Sequence, residues 1–296
     1  MRHPLSLFAT GLLTIAIISS CDEQSLRNGD EVTNIEVDST KSTIIGVSGQ
    51  LFSIPSPIQT ALLIKAAKVP YNEKALPDAS TADQYIGKAQ QAMNLGVQGV
   101  AMAYSSLYDD GQRALRYYKA VDKLAHEIGI SAAIDGNLVQ RLAANVGNAD
   151  SLLVLSGRFY READIYLKEN DRADIASYVL LGGWVEATYL TALAANEGTQ
   201  ASRIRLAEQK ETIKTICEVL ETTADDEFKS SELFTLLKAL NTTYLDVVKT
   251  YTYAQPEVVP EKKTTIIKSS STYSMSDEQL DTITELIIAL RKNIIR

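Results

Sequence analysis

The most regular pattern in the chain is its last one. Leu280, Ile283, Ile287, Leu290 and Ile294 recur at alternating spacings of three and four, so one face of a helix is apolar over several turns. Ser276 stands just before this run, with Glu278 and Gln279 placed to complete an N-terminal cap. The same periodicity predicts helices upstream. Ser56-Pro57 is a cap followed by proline at the first helical position, and opens a helix to about Ala67. Ser80 or Thr81 starts a second helix to about Tyr108, which Asp110-Gly111 interrupts. Leu115, Tyr118, Val121, Ala125 and Ile128 mark a third, ended by Gly129. A short helix is expected after Asp135-Gly136-Asn137, stopping at Gly147. Another begins near Asp150, with Leu152, Leu155, Phe159, Ala163 and Tyr166 on one face. Segments 202–223 and 230–252 follow, the second with Leu233, Leu237, Leu240, Tyr244, Val248 and Tyr251 in one stripe. Thr264-Thr265-Ile266-Ile267 lies in a Pro/Lys/Thr-rich stretch, 254–275, and is either a short extended segment or irregular.

The helix from Asp171 to about Asn196 is of a different kind. Between Val179 and Ala195 the sequence VLLGGWVEATYLTALAA holds one ionisable acid or base, Glu186. A helix apolar on all sides is either a membrane span or the centre of a core. A stretch this short with a carboxylate in its middle makes a poor span, because a central charge is costly in lipid. The core is therefore the expected place, with Gly182 and Gly183 admitting a close neighbour. Glu186 must then be paired, hydrogen-bonded, protonated or open to a polar cavity. Arg158 and Arg161 on the preceding helix are its candidate partners, and a ligand-facing carboxylate and plain exposure are the alternatives. Replacing Glu186 by Leu is expected to be tolerated if its partner can reach water.

No proline falls between Pro77 and Pro256. Proline is costly inside helices, so its absence supports a helical body. The expected fold is all-α: a single multi-helix bundle of about nine helices over residues 51–296, with short loops joining antiparallel hairpins and 254–275 as an irregular connection. Composition narrows the class further. Only 15 Gly and 7 Pro occur in 296 residues, which excludes collagen-like and Gly/Pro low-complexity chains. A 45% hydrophobic content excludes disorder of the chain as a whole. A formal charge of −8 and a pI near 5.0 remove the basic footprint that nucleic-acid binding requires.

Residues 1–20 look like a targeting segment: Arg2 and His3, then a mostly apolar stretch from Leu5 to Ile18. It ends in Ile18-Ser19-Ser20-Cys21, which resembles the bacterial lipobox. The resemblance implies cleavage before Cys21, acylation of its thiol and new amino group, and attachment to a membrane through the acyl chains. Residues 21–50 are polar, acidic and Ser/Thr-rich and read as a disordered tether. Asp22 and Glu23 resemble the surface-export signal of Bacteroidetes lipoproteins, whereas Asp at this position in enteric lipoproteins implies inner-membrane retention. The expected address is the cell envelope, with the outer membrane, on its periplasmic or surface face, as the favoured site.

The mature chain then holds one histidine, His126, and one cysteine besides Cys21. Cys217 shares a helical stripe with Ile213, Ile216 and Leu220, as an inert buried thiol would. No zinc, EF-hand, P-loop, nucleophile-elbow or dinucleotide spacing occurs, so no metal, cofactor or catalytic residue is assigned. Carboxylate pairs such as Asp109-Asp110 and Asp225-Asp226 fall at expected caps. Tyrosines concentrate on the central helices, and core packing is their first explanation. If they line a groove, Tyr104, Tyr108, Trp184, Glu186 and Tyr189 are the candidate ligand- or partner-binding residues. The leading expectation is a non-enzymatic envelope lipoprotein whose helical domain binds or scaffolds an envelope protein. A small-ligand-binding lipoprotein with a Tyr/Trp-lined pocket is the alternative, and a hydrolase using two carboxylates comes third.

Four segments carry a family resemblance: Phe52-Ser53-Ile54-Pro55-Ser56-Pro57, Asn94-Leu95-Gly96-Val97, Tyr104-Ser105-Ser106-Leu107-Tyr108 and Leu181-Gly182-Gly183-Trp184-Val185-Glu186. They resemble segments of a family of uncharacterised helical Bacteroidetes lipoproteins over roughly residues 50–200. The resemblance implies an envelope address and a helical fold, and no chemistry.

Overall fold

The computed structural model describes residues 42–131 except 48, 49 and 56, isolated positions between 141 and 170, and residues 171–296 except 260, 262, 263 and 267, with side chains from residue 61 onward. The signal and lipobox, most of the tether, the helix expected after Asp135, and Arg158 and Arg161 lie outside the described residues.

A hairpin of β1 (Ser42–Val47) and β2 (Gln50–Pro55) comes first, with Ile44 opposite Ser53. It begins within the segment expected to be tether. Helix α1 (Pro57–Ala66) follows, then short 3-10 turns at Glu73–Ala75 and Ala79–Asp83. The body is built from α2 (Lys88–Leu107), α3 (Gly111–Glu127), α4 (Ala173–Asn196), α5 (Gln200–Ala207), α6 (Gln209–Thr223), the single turn α7 (Asp226–Lys229) and α8 (Glu232–Tyr244). Two two-stranded sheets come next, β3 (Val248–Thr252) paired with β6 (Ser270–Ser274) and β4 (Glu257–Val259) paired with β5 (Thr264–Ile266), before the last helix, α9 (Asp277–Ile295). The architecture is an all-α bundle with small sheets attached.

Local chemistry explains the boundaries. Helix α2 starts at Lys88 rather than at Ser80, because Gly87 holds φ at +91°, a left-handed backbone that no helix interior accommodates. Ser80 and Thr81 serve a separate turn instead, where the Asp78 side chain accepts from Ser80 N at 2.9 Å. Asp110 caps α3 by accepting from Arg113 N, and Gly129 follows its end at φ +74°. The buried face of α3 runs through Ala114, Tyr117, Val121 and Leu124, about one residue round from the expected stripe, so Leu115 is 45% exposed. Ser276 and Gln279 close a reciprocal capping box on α9, whose Leu280, Ile283, Ile287, Leu290 and Ile294 are all buried, as its periodicity requires.

The stripe expected to continue as helix to residue 252 ends at Tyr244. Val248-Lys-Thr-Tyr-Thr is rich in β-branched and aromatic residues, and β6 supplies it with a pairing partner, Thr250 opposite Thr272. Val248 and Tyr251, which would have shared the helical stripe, are exposed. Thr264–Ile266 takes the extended form and pairs with Glu257–Val259.

The centre of the bundle is α4. By length and apolar composition it could cross a membrane, yet it is mostly buried inside the fold. Its neighbour α2 lies so close that a Cβ on Gly182 would overlap the carbonyl oxygen of Met93, and one on Gly96 would overlap that of Val179. Two contacts fix the direction of α9 against each. Gln90 and Asn94 of α2 donate to the carbonyls of Arg296 and Ile294, each at 2.8 Å. Asn196 and Glu186 of α4 meet Thr284 and Arg291. Helix α9 is therefore antiparallel to both, and α2 and α4 run in the same direction. Helices α2 and α3 form an antiparallel hairpin, with Lys88 Nζ donating to Glu127 O.

One polar side chain sits badly in this core. Gln98 of α2 is fully buried and neither end of its amide has a hydrogen-bond partner. Such a group costs about 1–3 kcal/mol. Gln98→Met keeps the length and removes the polar ends, so it should raise stability by about 1 kcal/mol in urea unfolding; a loss of similar size would show that the amide is satisfied in the folded protein.

Candidate functional site

The sequence candidates occupy three separate places. Tyr104 and Tyr108 sit one turn apart near the C-terminal end of α2, where they meet Tyr71 from the loop after α1. The ring centroids lie 5.4 Å (Tyr71–Tyr104), 5.2 Å (Tyr71–Tyr108) and 4.9 Å (Tyr104–Tyr108) apart. Each hydroxyl has an internal partner. Tyr108 donates to Val69 O at 2.7 Å, Tyr71 to Asp110 Oδ2 at 3.1 Å, and Tyr104 accepts from Asn72 N at 3.3 Å. Asp110 is held in turn by Arg113, which also pairs with Glu73. Burial raises the pKa of all three tyrosines, so they are neutral phenols. Their work is to fasten the 68–76 loop to the end of α2.

Trp184 is buried on α4 and donates from Nε1 to Gln209 Oε1 at 2.9 Å, while Gln209 Nε2 donates to Arg205 O at 3.1 Å. It ties α4 to the start of α6.

Glu186 is the third place, and its partner is Arg291 of α9. The guanidinium grips both carboxylate oxygens, Nε to Oε2 at 2.5 Å and Nη2 to Oε1 at 3.0 Å. Nη2 also donates to Ala75 O at 2.9 Å, and the guanidinium carbon lies 4.2 Å from the centroid of the Tyr189 ring. Glu186 is 0% exposed and the Arg291 side chain 11%. Burial pushes the Glu186 carboxyl above the ordinary glutamate range, and the adjacent guanidinium opposes that shift. The arrangement is a structural ion pair, the first of the alternatives the sequence left open. Arg158 and Arg161, the partners expected from the preceding helix, lie outside the described residues.

The structure thus joins Glu186 to Tyr189 through Arg291, joins Tyr104 to Tyr108, and leaves Trp184 apart from both. None of the five lines the surface cavity of about 440 Å³ between the 76–80 segment and Arg113, Arg116 and Tyr117 of α3. Tyr117 forms part of its wall and donates to Pro77 O at 2.6 Å. The lining contains one carboxylate, Asp78, so the paired acids of a hydrolase are not assembled there. Sequence reading missed this cavity. The available signal was Arg113, Arg116 and Tyr117 at i, i+3 and i+4 on one helix.

Among the described residues no group of three His, Cys, Asp or Glu side chains is placed to hold a metal. His126 is exposed in the last turn of α3. Cys217 is buried, and burial pushes its thiol up to about 12, which makes it inert. No family model, curated protein or solved structure matches the chain.

The ion pair gives a direct test. Arg291→Met leaves Glu186 charged and unpaired in the core, which should cost about 3–5 kcal/mol at neutral pH in urea unfolding. Glu186→Leu should also destabilise, because Arg291 is too covered to turn to water. Combining the two should recover most of the loss. In Arg291→Met the folded-state pKa of Glu186 lies above its unfolded value, so the folded state binds more protons in the window between them. Its deficit should therefore shrink as pH falls through that window, and an equal deficit at every pH would contradict the pairing.

Proposed function

We propose that the chain is a membrane-anchored lipoprotein of the bacterial cell envelope, held by acyl chains on Cys21, whose helical domain binds or scaffolds an envelope protein without catalysing a reaction. The observation that carries this reading is the run Ile18-Ser19-Ser20-Cys21 behind a short apolar stretch, followed by an acidic, Ser/Thr-rich segment. The interior is consistent with it. The Tyr104 and Tyr108 hydroxyls, the Trp184 indole and the Glu186 carboxylate have internal partners, so these groups hold helices and loops together. What is left to meet a partner is the outside of the bundle. The outer membrane is the proposed address.

Cys21→Ser tests the anchor. Wild-type protein should take up a fatty-acid analogue during metabolic labelling and sediment with membranes. The mutant should remain unlabelled, and either appear in the soluble fraction or persist as the unprocessed precursor. Equal labelling of the two proteins ends the lipoprotein reading.

A further inference from the structure

We propose that the surface cavity between the 76–80 segment and α3 binds a small zwitterion, a free amino acid or short peptide with an apolar side chain, whose carboxylate meets Arg116 and whose ammonium meets Asp78. The inference goes beyond the envelope reading above and does not depend on the anchor. At about 440 Å³ the cavity falls within the range of small-molecule sites, roughly 300–1,000 Å³. Its walls are fixed by internal contacts. Tyr117, itself buried, donates to Pro77 O at 2.6 Å and so ties the 76–80 segment to α3. The segment also folds on itself, with Asp78 Oδ1 accepting from Ser80 N at 2.9 Å and Thr81 Oγ1 donating to Asp78 O at 2.7 Å. Leu76 and Ala79 pack against the buried side chains of Ala101, Met102 and Tyr117, which gives the cavity an apolar lining.

Three charged side chains line this space: Asp78, Arg113 and Arg116. Arg113 is already answered, by Asp110 on Nε at 2.9 Å and by Glu73 on Nη2 at 2.6 Å. Arg116, exposed one turn further along α3, makes no ion pair among the described residues. Asp78 is exposed as well. Hydrogen bonds from Ser80 hold its carboxyl below the ordinary aspartate range, and the charge of Arg116 acts in the same sense, so Asp78 is ionised at neutral pH. Arg116 and Asp78 therefore feel each other's charge at one cavity without pairing. That combination selects a ligand. An anion alone would gain Arg116 and be repelled by Asp78, and a cation alone would meet the reverse. A molecule that carries both charges answers both, and its apolar body covers Leu76, Pro77 and the Tyr117 ring. Because both charged groups are exposed, each contact contributes only about fivefold in affinity, and the ligand exchanges freely with solvent.

The test titrates the full chain in detergent with L-leucine and with L-leucyl-L-leucine, each also in an N-acetylated and a C-amidated form. Binding is read by saturation-transfer NMR against detergent-only blanks. At least one of the two free zwitterions should bind saturably, and the tighter of them identifies the source as amino acid or peptide. Each capped form keeps a single charge and should bind about fivefold more weakly, or worse. Asp78→Asn retains the cap on Ser80 N, because asparagine accepts there as aspartate does, and should abolish the preference over the N-acetylated form. Arg116→Gln should abolish the preference over the C-amidated form. Both residues are exposed, so neither change disturbs the core. Absence of saturable binding by both zwitterions overturns the proposal. So does equal binding of free and capped forms to the wild type, or a preference for the free form that survives both substitutions.

Discussion

Two backbones in this protein come into direct contact. Helices α2 and α4 meet where Gly96 and Gly182 present no side chain, and the carbonyls of Val179 and Met93 occupy the space that a Cβ would fill. Helices packed through larger side chains lie roughly 8–10 Å apart, and small residues let two backbones come closer than that. This contact makes α4 the buried axis of the bundle, with α2 beside it and running the same way. Most of what α4 carries is consequently removed from water, including Glu186.

A fully buried carboxylate at the axis needs an answer, and α9 provides it. Arg291 covers both carboxylate oxygens, takes the carbonyl of Ala75 and lies over Tyr189. Asn94 and Gln90 of α2 meanwhile meet the last carbonyls of α9. The C-terminal helix is thus locked to the two central helices by polar contacts at both, with Ile283, Ile287, Leu290 and Ile294 burying the seam between them. Such pairs are weak sources of net stability, because desolvation offsets most of the attraction. They are strong sources of specificity: a α9 shifted by one turn would leave Glu186 and Arg291 both buried and alone. Glu186, Arg291, Gln90 and Asn94 are thereby committed to the fold.

Much of this was legible in the sequence. The five apolar positions of α9 admit one reading, the carboxylate in the middle of the α4 run favoured the core over a membrane span, and Gly182 announced a close neighbour. Arg291 was not legible as the partner of Glu186. On its own helix it looks like one more solvated cation, and only the tertiary path of α9 brings it to the axis. The sequence pointed instead to Arg158 and Arg161, which lie outside the described residues. Val248 and Tyr251 misled for another reason. Their spacing of three extends a helical stripe, but the threonines around them favour a strand once Ser270–Ser274 is there to pair. Tyr104, Tyr108 and Trp184 were visible as large amphipathic groups, while the partners of their polar ends lie in loops and helices that no local pattern connects to them.

The central claim is that the glycine contact between α2 and α4 sets the rest. It is tested most directly by urea unfolding of Gly96→Ala, Gly182→Ala and the double variant. Each methyl must force the two helices apart, so each single change should cost about 1–3 kcal/mol, although alanine favours an isolated helix over glycine. Once one methyl has parted the helices the second meets less resistance, so the double variant should lose clearly less than the sum of the two. Single variants as stable as the wild type, or more stable by the amount that helix propensity alone supplies, would contradict the account.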